Sequence, residues 1–219
     1  MKTHVSRRVC ALSVLVAACV LLLTGVLVNT VAADGQPFVV RVEEDWELVL
    51  LTPDPETTAP QVTCAFSPVA ELDSVYATFE LNHRSQPGFA PGGLHLQVWR
   101  DETALATRSA TTQQVLSTQA ETVRWTQTIS WYPGLLTFEV VAGDSVTWGS
   151  FGDPGQLRTM VLSGLANLNG YDPAVSVANS GVGFASNRVH SLKLKAVRLV
   201  TATGEVLEDS TVRSAYPQQ

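Results

Sequence analysis

VRVEEDWELVLL, residues 40–51, alternates apolar and charged side chains with a period of two. On a β-strand, alternate side chains point to opposite faces of the sheet. One face would then carry Val40, Val42, Glu44, Trp46, Leu48 and Leu50, and the other Arg41, Glu43, Asp45, Glu47, Val49 and Leu51. We therefore predict a first, edge strand, on which the acidic side chains face water and Trp46 packs into the core.

Similar stretches rich in Val, Thr and aromatic residues recur along the chain, which favours strands throughout. The further strand candidates are 61–66, 75–82, 93–100, 104–109, 122–131, 135–141, 145–151, 174–177 and 189–201. Pro- and Gly-rich pairs separate them and are typical of reversals. About ten short strands predict one all-β domain built as a two-sheet antiparallel sandwich. The size favours a jelly roll of the concanavalin-like lectin and glucanase type.

Four segments carry more specific expectations. Gly143-Asp144 between two strand-like runs predicts a tight hairpin. Residues 156–168 show both helical and strand patterns, and we favour a strand. The glycines at 181 and 183 indicate a bulge or turn. The C-terminal residues, 211–219, are expected to be a frayed tail, so the predicted domain covers 34–210.

The first 33 residues have the pattern of an export signal. Lys2, Arg7 and Arg8 precede a 20-residue run without charge, Val9–Val28, and small residues then end at Ala33. The run is also long enough to span a bilayer, so an uncleaved membrane anchor at residues 9–28 is the alternative. Either interpretation predicts a secreted or extracytoplasmic location, in the cell envelope or at the surface.

Charge and cysteine content exclude several classes of function. Three of the 14 basic residues precede residue 34, so the exported part carries 11 basic against 20 acidic residues, a net charge of −9. Such a surface repels the phosphate backbone, and we predict no nucleic-acid partner. Cys64 is the only cysteine after the signal, which excludes an internal disulfide and cysteine-ligated metals. The apolar stretch around it predicts a buried, inert thiol.

The acidic residues of the first strand also form the pattern E-x-D-x-E at Glu43, Asp45 and Glu47. This pattern resembles the active-site strand of laminarinase-type glycoside hydrolases, which share the predicted sandwich architecture. The resemblance covers five residues and implies Glu43 as nucleophile, Asp45 as assisting group and Glu47 as acid/base. A regular strand separates residues four apart by about 13 Å, however, and charges on an exposed strand face are common. We therefore predict a solvated acidic face and assign no catalytic residue.

No metal or cofactor is assigned. Asn167, Asn169 and Asp172 in NLNGYDP offer oxygen ligands around a glycine, a spacing faintly similar to that of a calcium loop. Asn-Gly and Asp-Pro are also ordinary turn formers, which is the interpretation we favour. Calcium bound here would be structural.

GLHLQVWR, residues 93–100, predicts a binding face. His95, Gln97 and Trp99 point one way on this strand, whereas its leucines and Val98 point the other way. An aromatic ring covers the apolar side of a sugar, and amide and imidazole groups bond its hydroxyls. The remaining tryptophans share their faces with Val, Ile or Leu or lie in apolar stretches, and we expect them in the core.

FEVVAGDSVTWGSFG and YDPAVSVANSGVGFASNRV resemble segments of uncharacterised exported β-sandwich proteins of planctomycete-type bacteria. That resemblance implies export and a sandwich, and no activity. Together these observations predict a non-catalytic exported protein that binds an extracellular ligand such as a polysaccharide. The alternatives are an envelope component that contacts surface proteins and, lower in rank, a glycoside hydrolase.

Overall fold

The architecture is known from a computed structural model, which describes residues 37–53, 59–72, 74–83, 93–111, 116 and 119–217. The expected export segment, 1–33, lies outside these residues. Among the described helices, none has the length and apolar character needed to cross a membrane. The described residues all belong to one compact unit.

Thirteen strands and one short α-helix account for most of the described residues. The strands are β1 (Val39–Leu50), β2 (Gln61–Phe66), β3 (Val75–His83), β4 (Gly93–Arg100), β5 (Thr103–Thr111), β6 (Thr122–Tyr132), β7 (Leu135–Ser145), β8 (Gly149–Phe151), β9 (Leu157–Leu162), β10 (Gly181–Phe184), β11 (Val189–Thr201), β12 (Val206–Asp209) and β13 (Arg213–Tyr216). The helix, α1 (Pro173–Ala178), lies between β9 and β10.

These strands form two antiparallel sheets. Sheet A has the order β12-β11-β1-β6-β7-β8, with β13 also paired to β11 and β9 also paired to β7. Sheet B has the order β10-β2-β3-β4-β5, in which β2 to β5 are consecutive neighbours. The first strand is therefore central in sheet A, between β11 and β6, and the expectation of an edge strand is wrong. The hydrogen-bonding edges of β1 are closed on both sides by neighbours.

The two sheets pack face to face around an aromatic core. Trp46 and Trp125, on β1 and β6 of sheet A, stack with ring centroids 6.4 Å apart and planes within 6°. Phe79, on β3 of sheet B, meets Trp125 edge-on at 5.8 Å. Aromatic contacts of this kind add to the free energy gained from burying the rings. The predicted all-β sandwich and the predicted burial of Trp46 and Trp125 are confirmed, whereas the jelly-roll subtype stays a prediction.

Strand β11 contains a β-bulge that sets the charges on the outer face of sheet A. Asp45 pairs with Ala196 and Trp46 with Leu194, so Lys195 is an extra residue opposite β1. Bulges of this kind re-aim side chains and increase the twist. The bulge is visible in the sequence LKLKAVRLV, residues 192–200, because the alternation of apolar and basic residues changes phase at Ala196.

Helix α1 replaces the strand that the sequence predicted at 174–177. Asp172 caps the helix, accepting a hydrogen bond of 2.8 Å from the Ala174 amide, and Pro173 occupies the first turn. Both residues are typical helix starts, so the apolar alternation misled the prediction here. By contrast, residues 157–162 form the favoured strand, β9.

Two further segments are strands where we expected none. Gly181–Phe184 forms β10 and pairs with β2, and the register shifts at Gly183, in agreement with the predicted bulge. Much of the expected frayed tail is also ordered, because β13 pairs with β11 and buries Ala215. Both segments are short, and pairing with a strand distant in sequence supplies the order that their own composition does not.

The hairpin around Gly143 turns later than predicted. Strand β7 continues through Ser145, and the turn occupies residues 146–148. Ala142 has a φ of 52°, and the β6–β7 register shifts beside it. Gly143 is required for a different reason, since a Cβ there would overlap the ring of Phe151.

We expect Gly143→Ala to lower the free energy of unfolding by about 1–3 kcal/mol, because overpacking forces a buried neighbour to move. Urea unfolding measures the change. Gly164→Ala is the matched control, since a Cβ at Gly164 meets no atom within 4 Å. Equal stability of the two variants would contradict the expected overlap with Phe151.

Candidate functional site

The outer face of sheet B brings the predicted binding residues together. His95, Gln97 and Trp99 are all half-buried, whereas Leu96 and Val98 between them are fully buried. The three side chains therefore point away from the core, on the side that faces solvent. This arrangement follows from the strict alternation of β4.

Neighbouring strands extend this face in both directions. On β3, Tyr76 lies opposite Trp99, and Thr78 lies opposite Gln97. On β5, Ser109 lies opposite His95. Directly opposite residues have Cβ atoms about 4.5–5.5 Å apart, so these side chains form one continuous surface. We call the surface formed by Tyr76, Thr78, His95, Gln97, Trp99 and Ser109 the β4 face.

Hydrogen bonds hold the β4 face in a fixed arrangement. The indole Nε1 of Trp99 donates to Thr78 Oγ1 at 3.0 Å, which fixes the ring against β3. The ring nitrogens of His95 lie 2.8 Å from Ser109 Oγ and 3.4 Å from Gln97 Oε1. These contacts fit the tautomer in which Nε2 donates to Gln97 and Nδ1 accepts from Ser109.

Sequence reasoning missed Tyr76, Thr78 and Ser109. The alternation of β3 places Tyr76 and Thr78 on an outer face, and that much was readable from VYATFEL at 75–81. The register that puts them beside Trp99 depends on pairing between strands and leaves no local signal.

The three carboxylates of the E-x-D-x-E pattern lie on the outer face of sheet A, away from the core. Arg198 bonds both Glu43, at 2.9 Å, and Asp45, at 2.5 Å. Glu47 lies 3.2 Å from Lys195 and 2.9 Å from Arg124. Each carboxylate is therefore paired with a basic side chain of a neighbouring strand, with Arg198 shared by Glu43 and Asp45, and Glu43 also pairs with Arg41 of its own strand at 2.8 Å. We call the set formed by Glu43, Asp45, Glu47, Arg124, Lys195 and Arg198 the ion ladder.

Basic neighbours lower the pKa of two of these carboxyls, Asp45 and Glu47. Partial burial acts to raise the pKa of Asp45, but hydrogen bonds from Arg198 and Thr126 and the Arg198 charge outweigh it, and the pKa lies below the ordinary value. Partial burial also acts to raise the pKa of Glu47, but the hydrogen bonds and charges of Lys195 and Arg124 outweigh it, so this pKa is lowered as well. A glycosidase needs one carboxyl with a raised pKa as its acid. The pair Asp45 and Glu47 supplies none.

We expect Arg198→Gln to lower the free energy of unfolding at pH 7 by about 2 kcal/mol, because hydrogen bonds to charged partners each contribute about 1.5–3 kcal/mol. The lowered pKa of Asp45 means that its ionised form stabilises the fold above the unfolded value of 3.8, and this stability is lost as the pH falls. The deficit should therefore shrink at pH 3.

Urea unfolding at pH 7 and pH 3 measures both effects. Arg108→Gln is the matched control, because Arg108 is exposed and its described hydrogen bond runs only to the adjacent Thr107 carbonyl. A deficit of the same size at both pH values would show that Arg198 acts through packing alone.

Glu44 is a carboxylate buried between the sheets, 1 % exposed. Oε1 accepts hydrogen bonds from the Tyr171 hydroxyl at 2.7 Å and from Ser176 Oγ at 2.5 Å. Oε2 accepts from Trp46 Nε1 at 2.9 Å and from Gln127 Nε2 at 3.2 Å. Four donors from separate parts of the chain thus satisfy a group whose burial would otherwise be very unfavourable.

Burial nevertheless dominates the titration of this cluster. It raises the pKa of Glu44 above its ordinary value, although the four hydrogen bonds oppose the rise. Burial, followed by the charge of Glu44, also raises the pKa of Cys64 well above its ordinary value. Cys64 is buried, as the sequence predicted, and at neutral pH it stays a thiol.

We expect the stability difference between the wild type and Glu44→Gln to fall as the pH rises from 4 to 8. Below the unfolded pKa of 4.5 the carboxyl is protonated in both states. As the pH rises through the higher folded value, ionisation is less favourable in the folded state than in the unfolded chain, so stability is lost. Gln cannot titrate and supplies the baseline. Urea unfolding at pH 4, 6 and 8 tests this, and a difference independent of pH would contradict it.

The side chains considered for calcium are used in turns and a helix cap. Asn167 Oδ1 accepts from the Asn169 amide at 2.9 Å, and Asn169 Oδ1 accepts from the Val39 amide at 2.9 Å. Asp172 caps α1. Their oxygens organise the connection from β9 to α1, which is the interpretation that the turn residues favoured.

Comparison with known proteins adds no assignment. No protein-family model matches the chain, and no curated protein matches its sequence. The geometry of the β4 face and of the ion ladder therefore carries the functional argument.

Proposed function

We propose that this chain is an exported, non-catalytic β-sandwich protein that binds an extracellular carbohydrate through the β4 face. The observation that carries the proposal is the position of Trp99, a half-buried indole in an otherwise largely polar sheet surface. By contrast, Trp46 and Trp125 are buried in the core, and Trp131 and Trp148, which are also half-buried, pack against that core.

The chemistry of the β4 face supports a sugar ligand. The hydrogen bond from Trp99 Nε1 to Thr78 fixes the indole ring. The ring therefore loses little conformational entropy when a pyranose stacks on its flat apolar surface. Gln97 and His95 place amide and imidazole groups along the same face of β4, and such groups offer the sugar hydroxyls both donors and acceptors.

The electrostatics support a neutral partner. The exported part carries an excess of acidic residues, with 20 in all, so a polyanion is repelled at long range. The acidic side chains of the ion ladder are paired with basic side chains of sheet A. The polar groups of the β4 face are hydrogen-bonded to one another. A neutral polysaccharide is not repelled by the acidic excess.

We expect Trp99→Ala to weaken polysaccharide binding at least tenfold, about 1.4 kcal/mol, through loss of the stacking surface. The full chain, held in a detergent without a sugar head group, is passed over a panel of insoluble and immobilised polysaccharides. Retention of the wild type on a subset of the panel, lost in the variant, is the expected result.

Tyr132→Ala is the matched control, because Tyr132 is an aromatic residue of sheet A that is 55 % exposed. Its retention should equal that of the wild type. Absence of wild-type retention on every glycan would contradict the proposal and favour the alternative, an envelope component that contacts surface proteins.

A further inference from the structure

Four large apolar side chains form one patch on the outer face of sheet A. Tyr132 on β6 and Leu162 on β9 both lie directly opposite Leu135 on β7, so these three residues form a row across three strands. Met160 precedes Leu162 by two residues and therefore lies on the same side of β9, in the next row. We call the surface formed by Tyr132, Leu135, Met160 and Leu162 the apolar patch.

The apolar patch is open to solvent. Leu162 is 74 % exposed, Met160 60 %, Tyr132 55 % and Leu135 37 %, whereas Leu136, which points to the other side of β7, is fully buried. Opposite residues on paired strands have Cβ atoms about 4.5–5.5 Å apart, so the four side chains are neighbours. Single exposed apolar residues are ordinary on a protein surface, but a contiguous group marks an interaction site.

The described chain enters the fold beside the apolar patch. Phe38, the residue before β1, packs edge-on against Trp131 with ring centroids 5.3 Å apart, and Trp131 directly precedes Tyr132. Eight residues, 29–36, separate the described chain from the uncharged run Val9–Val28. An extended chain advances at most about 3.3–3.6 Å per residue, so a run retained in a bilayer would hold this end of the sandwich within about 30 Å of it.

The charges around the apolar patch favour a lipid surface without net charge. Arg158 lies opposite Glu139 in the row beyond Met160, and Arg41 on β1 bonds Glu43 at 2.8 Å. Each of these cations thus has an acidic neighbour, and the acidic excess of the exported part repels anionic lipid at long range. Tyrosine is typical of the membrane–water interface, and exposed apolar side chains bind there by entering the acyl boundary.

The edge of β9 is less suited to pairing with a strand of a second copy. The Leu162 carbonyl already accepts a hydrogen bond of 3.0 Å from Arg100 Nη2 of sheet B. A strand added to this edge would have to displace that bond, since edge pairing uses the free backbone groups of the strand. A lipid surface needs only the side chains of the apolar patch and leaves the edge as it is.

We propose that the apolar patch docks the sandwich on the surface of the membrane that holds the run Val9–Val28. The proposal takes this run as a retained anchor. It uses no residue of the β4 face and is therefore independent of the proposed carbohydrate binding. A short flexible tether gives an effective concentration of millimolar order, so a patch with weak affinity for lipid stays docked for most of the time.

Met160 reports on docking without a label, because it is the only methionine after the initiator. A water-soluble oxidant converts an accessible methionine to its sulfoxide. Val146→Met adds an internal reference, since Val146 is 73 % exposed and lies just after β7, at the opposite end of that strand from Leu135. The ratio of the two oxidation rates in one molecule does not depend on how the chain is oriented in a vesicle.

The full chain carrying Val146→Met is reconstituted in phosphatidylcholine vesicles and treated with chloramine T, and mass spectrometry follows both positions. Met160 should oxidise at least about tenfold more slowly than position 146, because only the undocked fraction reacts. Adding Leu162→Glu should bring the two rates within about twofold of each other, because a charge in the patch opposes its burial in lipid. Adding Val212→Glu is the matched control and should leave the protection unchanged, since Val212 is 51 % exposed and lies between β12 and β13, at the opposite edge of sheet A.

Equal oxidation rates at positions 160 and 146 would overturn the proposal, as would recovery of the full chain apart from the vesicles. Protection that survives Leu162→Glu also overturns it, because the cover would not then depend on the apolar surface. Protection that rises with the ratio of protein to lipid shows that a second copy covers the patch instead. Leu162→Ser replaces Leu162→Glu where thermal unfolding shows that the charged variant does not fold. None of these outcomes changes the case for carbohydrate binding.

Discussion

The buried carboxylate of Glu44 is the interaction on which the arrangement of this sandwich depends. Its oxygens collect hydrogen bonds from β1, β6, the Tyr171 connection and α1. The helix is in turn tied to sheet B, because Ser180 Oγ accepts from the Ala65 amide at 2.9 Å and donates to the Ser176 carbonyl at 2.7 Å. A buried charge tolerates few arrangements of its donors, so this cluster joins both sheets and α1 in one defined geometry.

Strand β1 has different roles on its two faces. Its inner side gives Trp46 to the aromatic core, and its outer side gives Glu43, Asp45 and Glu47 to the ion ladder. The more exposed pairs that Arg124 and Lys195 form with Glu47 contribute modestly to stability, but charges of both signs on neighbouring strands disfavour any slip in register. The three acids of the E-x-D-x-E pattern thus have a structural role in sheet A.

The β4 face is formed by three neighbouring strands of sheet B. β4 is flanked by β3 and β5, which fix Trp99 and His95 through Thr78 and Ser109.

The sequence by itself determined the all-β class, the buried faces of β1, β4 and β6, and the outward side of His95, Gln97 and Trp99, because alternation is a local property of the chain. The tertiary structure alone decided that β1 is central, that α1 replaces a strand, and that β13 is ordered. It also decided which donors meet Glu44 and which bases meet the ion ladder. These outcomes depend on pairing between residues far apart in sequence, and the free energy of such contacts is not encoded in the local pattern of any one strand.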